Sequence, residues 1–258
     1  DKFVFGGDLF DRGPGDLRLA YTLVTFQKRY PNRVTLLMGN RDINKLRLLS
    51  ELRDETCSDD PPFWDTNAPG LKSWLEGKGL ENSLTSRLKW ILECTMGAPQ
   101  AFDHRREELS ILRNTHPSKI TDNDVVQSYI SSVTPPRGLV YQFLRASTIG
   151  VVHQSTLFVH GAISSRSVFW VPSPQLKYRK HLGGDYRTVP GTQLHDATTT
   201  MEEWLRKLDE FAQGALDAYV EDPYWSTERG WEDGEATRGG EALMAYQSGM
   251  AAPGRSPV

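Results

Sequence analysis

The sequence predicts an α/β fold, and three segments near the start of the chain carry this prediction. Phe3-Val4-Phe5 is a short apolar run of the kind found in buried strands. In residues 16–30, apolar side chains recur every three or four positions, which predicts an amphipathic helix. A second apolar run, residues 34–38, predicts another strand. Strand, helix and strand in this order indicate a β-α-β unit, whose strands are parallel.

The helix of this unit has recognisable ends and one apolar face. We expect Asp16 to cap its N-terminus, because aspartate side chains accept hydrogen bonds from the first free N–H groups of a helix. Pro31-Asn32 is expected to end it. The face predicted to be buried consists of Leu19, Leu23, Phe26 and Tyr30.

Polar motifs follow both predicted strands. Residues 6–13 read Gly-Gly-Asp-Leu-Phe-Asp-Arg-Gly, and residues 39–42 read Gly-Asn-Arg-Asp. Open α/β sheets bind ligands outside the carboxyl ends of their strands, so these side chains are expected to lie together. Carboxylate and amide oxygens suit hard metal ions, and arginine suits phosphate. The sequence therefore predicts a site for metal ions and a phosphate group at this edge.

These motifs resemble those of the calcineurin-like metallophosphoesterases, which carry Asp-x-His, Gly-Asp-x-x-Asp-Arg-Gly, Gly-Asn-His-Asp or Gly-Asn-His-Glu, and later histidines on loops. Residues 7–13 match the second element, residues 39–42 the third, and His160 after a short apolar run the fourth. The Arg-Gly-Pro-Gly of residues 12–15 is most similar to the branch of symmetric diadenosine-tetraphosphate hydrolases, a neighbour of the Ser/Thr protein phosphatases. The resemblance implies a layered α/β/α sandwich with a mixed sheet and large helical insertions.

The chain departs from the family pattern in three places. The Asp-x-His element belongs upstream of Phe3, so the resemblance implies an N-terminally truncated fragment without the first strand and two metal ligands. The family's last Gly-His element has no clear counterpart, and His195 is the one late histidine that could replace it. Arg41 stands where the family has histidine.

By resemblance, the site holds two divalent ions, of manganese, iron, zinc or magnesium. Asp8 would bridge both ions, and Asn40 and His160 would bind one of them. Arg12 would bind the substrate phosphate, and Asp11 would orient Arg41 or Asn40.

Structural roles compete with these assignments. Asp42 is expected to cap the helix that follows it rather than to bind metal. The other structural readings are turn residues for Asp8 and Asp11, a left-handed residue for Asn40, a strand-end histidine for His160, and a surface ion pair with Asp16 for Arg12.

The resemblance implies hydrolysis of a phosphate ester or phosphoanhydride, by direct in-line attack of a metal-bound hydroxide. Arg41 changes the expected substrate, because a guanidinium with a pKa above about 12 cannot protonate a leaving group at neutral pH. It can still stabilise negative charge, so we expect phosphoanhydrides to be preferred over phosphoserine or phosphothreonine. Two alternatives are a catalytically degenerate scaffold of the same fold and a protein-interaction module built on the helical insertion.

The chain reads as one calcineurin-like phosphoesterase domain over residues 1–258. Residues 54–145 are predicted to form a helical insertion within it, and residues 196–258 a C-terminal extension of helix and loop. Further predicted elements are helices over residues 83–96, 102–113, 122–133 and 201–219, the last capped by Thr200 and Glu203, and strands over residues 148–153 and 156–160.

The composition of the chain limits the classes of binding partner that we expect. The net charge of −3 and the pI near 6.1 give no strong signal for nucleic-acid binding. The two cysteines, Cys57 and Cys94, fit a reducing compartment, and no apolar run suits a membrane span. We therefore expect a cytoplasmic protein whose substrate is a phosphorylated small molecule, a nucleotide or a phosphoprotein. A basic cluster comprises Lys177, Arg179, Lys180 and His181. It could attract an anionic substrate, and the alternative is a solvated surface.

Overall fold

The computed structural model describes residues 1–53, 68–177, 189–194, 199–226, 237–248 and 256–258. It combines strands and helices as predicted, and the α/β class is confirmed. The strands are β1 (Phe3–Phe5), β2 (Val34–Leu37), β3 (Ser147–Thr148), β4 (Gly150–His153), β5 (Thr156–Val159), β6 (Trp170–Pro172) and β7 (Gly191–Gln193).

The predicted β-α-β unit is present at the start of the chain. β1 pairs in parallel with β2, with Phe5 opposite Leu36, and β2 pairs in parallel with β3. Among the described residues, the antiparallel pairings of β4 with β5 and of β6 with β7 lie outside this sheet. Both orientations expected of a mixed sheet therefore occur, but in separate groups of strands. The carboxyl ends of β1 and β2 lie side by side.

Helices make up most of the remaining described structure. The predicted helices over residues 83–96, 102–113, 122–133 and 201–219 are all found, the first of them ending in π-helical geometry over Ile91–Thr95. Short 3-10 turns lie at Lys45–Arg47 and Pro117–Lys119. The α-helices are α1 (Asp16–Arg29), α2 (Asn40–Asn44), α3 (Leu48–Glu51), α4 (Leu71–Lys78), α5 (Leu84–Trp90), α6 (Ala101–Leu112), α7 (Asp122–Val133), α8 (Leu139–Arg145), α9 (Met201–Glu221) and α10 (Glu241–Gln247).

One contiguous apolar core joins these elements. Phe10 beside the sheet, Tyr129 of α7, Trp204 of α9 and Tyr246 of α10 are all completely or almost completely buried within it. The helices predicted as an insertion thus share their core with the α/β part; the boundaries of the insertion and of the C-terminal extension stay predictions. No helix in the described part of the chain has the length and apolarity needed to cross a membrane.

The buried face of α1 differs from the predicted one. Leu19, Phe26 and Tyr30 remain 38–43% exposed, whereas Leu23 is buried as expected. The helix instead buries a neighbouring stripe, because α8 and β2 pack against that side: Leu17, Ala20, Leu23 and Val24. The apolar residues of α1 cover more than half of its circumference, so periodicity alone did not identify the buried face.

The predicted cap of α1 is also wrong. The N-cap residue is Gly15, and the Asp16 carboxylate accepts a hydrogen bond from the N–H of Asp11 at 3.0 Å. The free amides of the helix are satisfied from a distant segment. Glu108 of α6 accepts the N–H groups of Leu17 and Arg18 at 3.1 and 3.0 Å. The acid therefore supplies both the capping oxygens and a favourable charge at the positive end of α1.

Replacing Glu108 with alanine is expected to destabilise the protein by about 2–4 kcal/mol, because two amides, one buried and one partly buried, lose their acceptor. The exposed neighbour Glu107 provides a matched control on the same helix, and Glu107→Ala is expected to change stability by less than about 0.5 kcal/mol. Urea unfolding monitored by circular dichroism measures both. Equal stability of the two variants would contradict the assigned role of Glu108.

Candidate metal and phosphate site

The turns after β1 and β2 approach each other so closely that no side chain fits at Gly7 or Gly39. A Cβ atom on Gly39 would lie 2.2 Å from the backbone nitrogen of Asp8 and 2.5 Å from its Oδ1 atom. Gly7 has a φ angle of +84°, and a Cβ atom there would lie 2.8 Å from the nitrogen of Gly39. Only glycine permits both the conformation and the contact. The two turns therefore form one surface, with Asp8 and Asn40 next to each other.

Asp42 connects the two turns from the buried side of the site. Its carboxylate is fully buried and accepts the N–H groups of Asp8, Leu9 and Gly39 at 3.0, 2.8 and 2.9 Å, with a longer contact of 3.4 Å to that of Phe10. Asp42 was predicted to cap the helix that follows it, but it lies inside α2, whose N-cap residue is Gly39. Its carboxylate accepts the N–H of that N-cap residue and also those of the turn after β1. Burial raises the pKa of Asp42 to about 7, although the N–H groups of Gly39 and Leu9 favour the ionised form.

The backbone of the first turn is unusual at two carboxylates. Asp8 and Asp11 have φ angles of +54° and +82°, a region that residues other than glycine rarely adopt. Such conformations persist only where the surroundings impose them, and they are concentrated at functional sites. Here the contacts of Asp42 and Gly39 with the turn impose the conformation at Asp8.

His160 directly follows β5 and reaches both turns. Its Nδ1 atom lies 2.6 Å from the carbonyl oxygen of Gly6, to which it donates a hydrogen bond. This contact directs the other ring nitrogen, Nε2, to the side chains of Asp8 and Asn40. A backbone carbonyl that fixes one nitrogen while the other faces acidic oxygens is the usual arrangement of a metal-binding histidine. Asn40 lies at the start of α2 rather than in a left-handed conformation.

Three donor atoms converge at this point. His160 Nε2 lies 3.2 Å from Asp8 Oδ1 and 3.3 Å from Asn40 Oδ1. Ligands held about 2.1 Å from one ion stand about 3.0–3.4 Å apart in octahedral or tetrahedral geometry. Both distances from His160 Nε2 therefore match the spacing expected between neighbouring ligands of one divalent ion. No group of three or more His, Cys, Asp and Glu residues converges anywhere in the described part of the chain, and the amide of Asn40 is the third donor here.

The pair of Asp8 and His160 is electrostatically coupled. The hydrogen bond to Asp8 raises the pKa of His160 above its ordinary value, against the opposing effect of burial. Burial alone would raise the pKa of Asp8, but hydrogen bonds from His160 and from the N–H of Arg41 hold it below its ordinary value. Asp8 is thus an anion at neutral pH, as a metal ligand must be.

Two cations flank the donor set. Arg41 lies beside Asp8, with Nε 3.7 Å from Asp8 Oδ2, and its Nη1 atom donates a hydrogen bond to the carbonyl oxygen of Met96 at 3.2 Å. Lys45, which is 1% exposed, contacts Asp11 Oδ2 at 2.5 Å. Asp11 was predicted to orient Arg41 or Asn40. Its closest partner is instead Lys45, which lies one helical turn after Arg41, and Arg41 Nη1 stays 3.8 Å from the carboxylate.

Sequence reasoning missed the parts played by Lys45 and Met96. Lys45 follows Arg41 by four residues, a spacing that places both on one helical face and could have indicated their shared partner. Met96, which lies at the end of the π-helical segment, carried no signal, since it contributes a backbone carbonyl and a sulfur atom 3.4 Å from Lys45 Nζ. Through Met96, the predicted insertion contacts Arg41 and Lys45 at the site.

The remaining predicted residues either form no hydrogen bond or ion pair with this cluster or lie outside the described residues. Arg12 is exposed, and no hydrogen bond or ion pair to another described residue restrains it, so the alternative pair with Asp16 is not formed. Its contact with a substrate phosphate stays a prediction. Lys177 is partly buried. The residues that fall outside the described ranges are Arg179, Lys180, His181, His195 and Cys57.

Comparison with known proteins gives a family match for the first part of the chain. Residues 1–126 match the calcineurin-like phosphoesterase family. The predicted resemblance is thereby confirmed over those residues, which contain both strand-end turns. His160 lies beyond the matched residues, and the fold brings it to the same point. The matched family is named for phosphoester hydrolysis, and metallophosphoesterases generally use divalent metal ions.

One curated protein aligns with a short segment of this chain. The chain is 37% identical over 57 residues to the serine/threonine-protein phosphatase 6 catalytic subunit of Drosophila melanogaster. The alignment spans 22% of this chain and 19% of that relative. No solved structure gives a significant match.

Proposed function

We propose that this protein is a metal-dependent hydrolase of phosphate esters or phosphoanhydrides. The observation that carries the proposal is the convergence of Asp8, Asn40 and His160, whose donor atoms are separated by 3.2 and 3.3 Å. These three residues would hold one divalent ion. The second ion of the predicted pair would share Asp8, and its presence stays a prediction. When bound, such ions neutralise phosphate oxygens and lower the pKa of water.

The protein's own residues supply binding and charge. The Arg41 side chain is 19% exposed and places its guanidinium beside Asp8, where it can contact an oxygen of a bound phosphate group. Arg12 is exposed on the first turn and is the second cation available to the substrate. His160 keeps Nε2 directed at Asp8 and Asn40 through its contact with Gly6. Together these groups can fix a phosphate for in-line attack by water.

Arg41 also determines the leaving groups that we propose. A guanidinium stays protonated at neutral pH, so it stabilises a negative leaving oxygen without giving it a proton. A phosphate leaves from an anhydride as a stable anion, whereas a serine or threonine side chain leaves as an alkoxide that needs protonation. We therefore propose nucleoside polyphosphates ahead of phosphoproteins, although the aligned relative is a serine/threonine-protein phosphatase.

The central test measures metal binding and hydrolysis in the same variants. Isothermal titration with MnCl2 is expected to show binding to the wild type, and a nucleoside triphosphate is expected to be hydrolysed faster than a phosphopeptide. Asp8→Asn is expected to lower both Mn²⁺ affinity and hydrolysis at least about a hundredfold, because the anionic ligand is lost. Asp103→Asn, at an exposed position of α6, is the matched control and is expected to behave as wild type.

Each contrary outcome has a definite meaning. Full activity in Asp8→Asn would contradict the assignment of this carboxylate. A wild type that neither binds Mn²⁺ nor hydrolyses any phosphate substrate would indicate the degenerate scaffold instead. Faster turnover of the phosphopeptide would leave the hydrolase in place and refute the anhydride preference.

A further inference from the structure

Asp11 is a buried carboxylate within reach of two cations. Lys45 Nζ lies 2.5 Å from Asp11 Oδ2, and Arg41 Nη1 lies 3.8 Å from the same oxygen. The side chain of Asp11 is completely buried, and its other oxygen, Oδ1, has no hydrogen-bond partner among the described residues. The carboxylate therefore has unused capacity to accept a second cation.

Arg41 lies within ion-pair distance of that carboxylate but makes no hydrogen bond to it. Its Nη1 atom donates to the carbonyl oxygen of Met96, and its Nε atom faces Asp8 at 3.7 Å. Within the described residues, no group accepts a hydrogen bond from its Nη2 atom. Arg41 thus pairs with Asp8 and Asp11 at long distances of 3.7 and 3.8 Å, whereas Lys45 contacts Asp11 directly, so the guanidinium is not engaged in a close buried ion pair.

We propose that Lys45 is a positioning residue: by occupying Asp11, it keeps the Arg41 guanidinium available to bind an oxyanion of the substrate. This inference rests on the proposed function and adds a residue to it. Without Lys45, a buried carboxylate would be left without its close cation, which is strongly unfavourable. The nearest replacement is Arg41, whose planar guanidinium can bind both oxygens of Asp11 in a bidentate pair. That pair would withdraw Arg41 from the substrate.

The inference predicts a loss and its rescue. In Lys45→Met, Asp11 is expected to capture Arg41, and the affinity for inorganic phosphate should fall about tenfold to a hundredfold, the usual range for one charge-assisted contact. In the double variant Asp11→Asn with Lys45→Met, the buried charge is gone and Arg41 is released. Phosphate affinity is then expected to return to within about threefold of wild type. A role of Lys45 in fold stability alone would give no such pattern.

Isothermal titration with inorganic phosphate in the presence of MnCl2 measures these affinities, and circular dichroism confirms that each variant is folded. Lys119→Met, at an exposed position, is the matched control for loss of a lysine charge. If Lys45→Met does not fold, the double variant alone decides, because it removes Lys45 and the carboxylate together. Wild-type affinity in it supports the inference, and a loss of tenfold or more overturns it, since Lys45 would then contact the phosphate itself.

The outcomes separate this inference from the proposed function. A folded Lys45→Met variant that binds phosphate as tightly as wild type overturns the role of Lys45 and leaves the hydrolase intact. A wild type that binds neither Mn²⁺ nor phosphate overturns both.

Discussion

Asp42→Ala is expected to destabilise the protein by about 3–5 kcal/mol, because three to four buried amides would lose their shared acceptor. The carboxylate joins the turn after β1 to the turn after β2 through Asp8, Leu9 and Gly39, with distances of 2.8 to 3.0 Å. No other side chain contacts these amides in the described residues, so water would have to enter a fully buried position to replace it.

Urea unfolding measures this loss, and two variants calibrate it. Asp42→Asn keeps one carbonyl oxygen in place and is expected to lose less stability than Asp42→Ala. Asp103→Ala removes an exposed acid from α6 and is expected to change stability by less than about 0.5 kcal/mol. Stability of Asp42→Ala equal to that of Asp103→Ala would show that the two turns hold together without this carboxylate.

Gly39→Ala is expected to separate the two turns, at a cost of at least about 3 kcal/mol in stability. The added Cβ atom would overlap the backbone nitrogen of Asp8 at 2.2 Å, and no side-chain rotation can relieve a contact with backbone. Asp8 and Asn40 must then move apart, so Mn²⁺ affinity is expected to fall at least about tenfold even where the variant still folds.

Gly13→Ala is the matched control for this prediction. Gly13 belongs to the same first turn, a Cβ atom added there would meet no other atom within 4 Å, and its φ angle is not positive. Gly13→Ala is therefore expected to retain wild-type stability and Mn²⁺ affinity. Thermal unfolding and calorimetric titration measure both quantities. Wild-type Mn²⁺ affinity in Gly39→Ala would mean that the approach of the two turns does not control the donor set.

The local part of the fold was predictable from the sequence because it depends on short-range patterns. The run Phe3-Val4-Phe5 forms a strand with those bounds, and the helix predicted over residues 122–133 begins and ends at those residues. The turn at Gln154 and Ser155 joins β4 to β5, between the two strands predicted over residues 148–153 and 156–160. Each of these elements is specified by neighbouring residues, through apolar periodicity, capping chemistry or turn propensity.

The burial of α1 was not predictable in the same way. Apolar residues occur around most of this helix, and the sequence does not record which side another helix will cover. Its N-terminus is capped by Glu108, which is 91 positions away from Leu17 in the chain, so no local motif could reveal the contact. Where a helix end is satisfied by a distant side chain, local capping rules select the wrong residue.

The sequence by itself determined which chemistry the candidate site could perform. The residue types at the ends of β1, β2 and β5 specify carboxylate, amide and imidazole donors together with arginine, and their order along the chain produced the family resemblance. The tertiary structure alone decided how those groups are used. It joined the two turns through Asp42 and directed His160 Nε2 to Asp8 and Asn40. It also placed Lys45 nearer to Asp11 than Arg41 is. Charged side chains compete for partners over a few ångströms, and the outcome depends on positions in space that sequence separation does not encode.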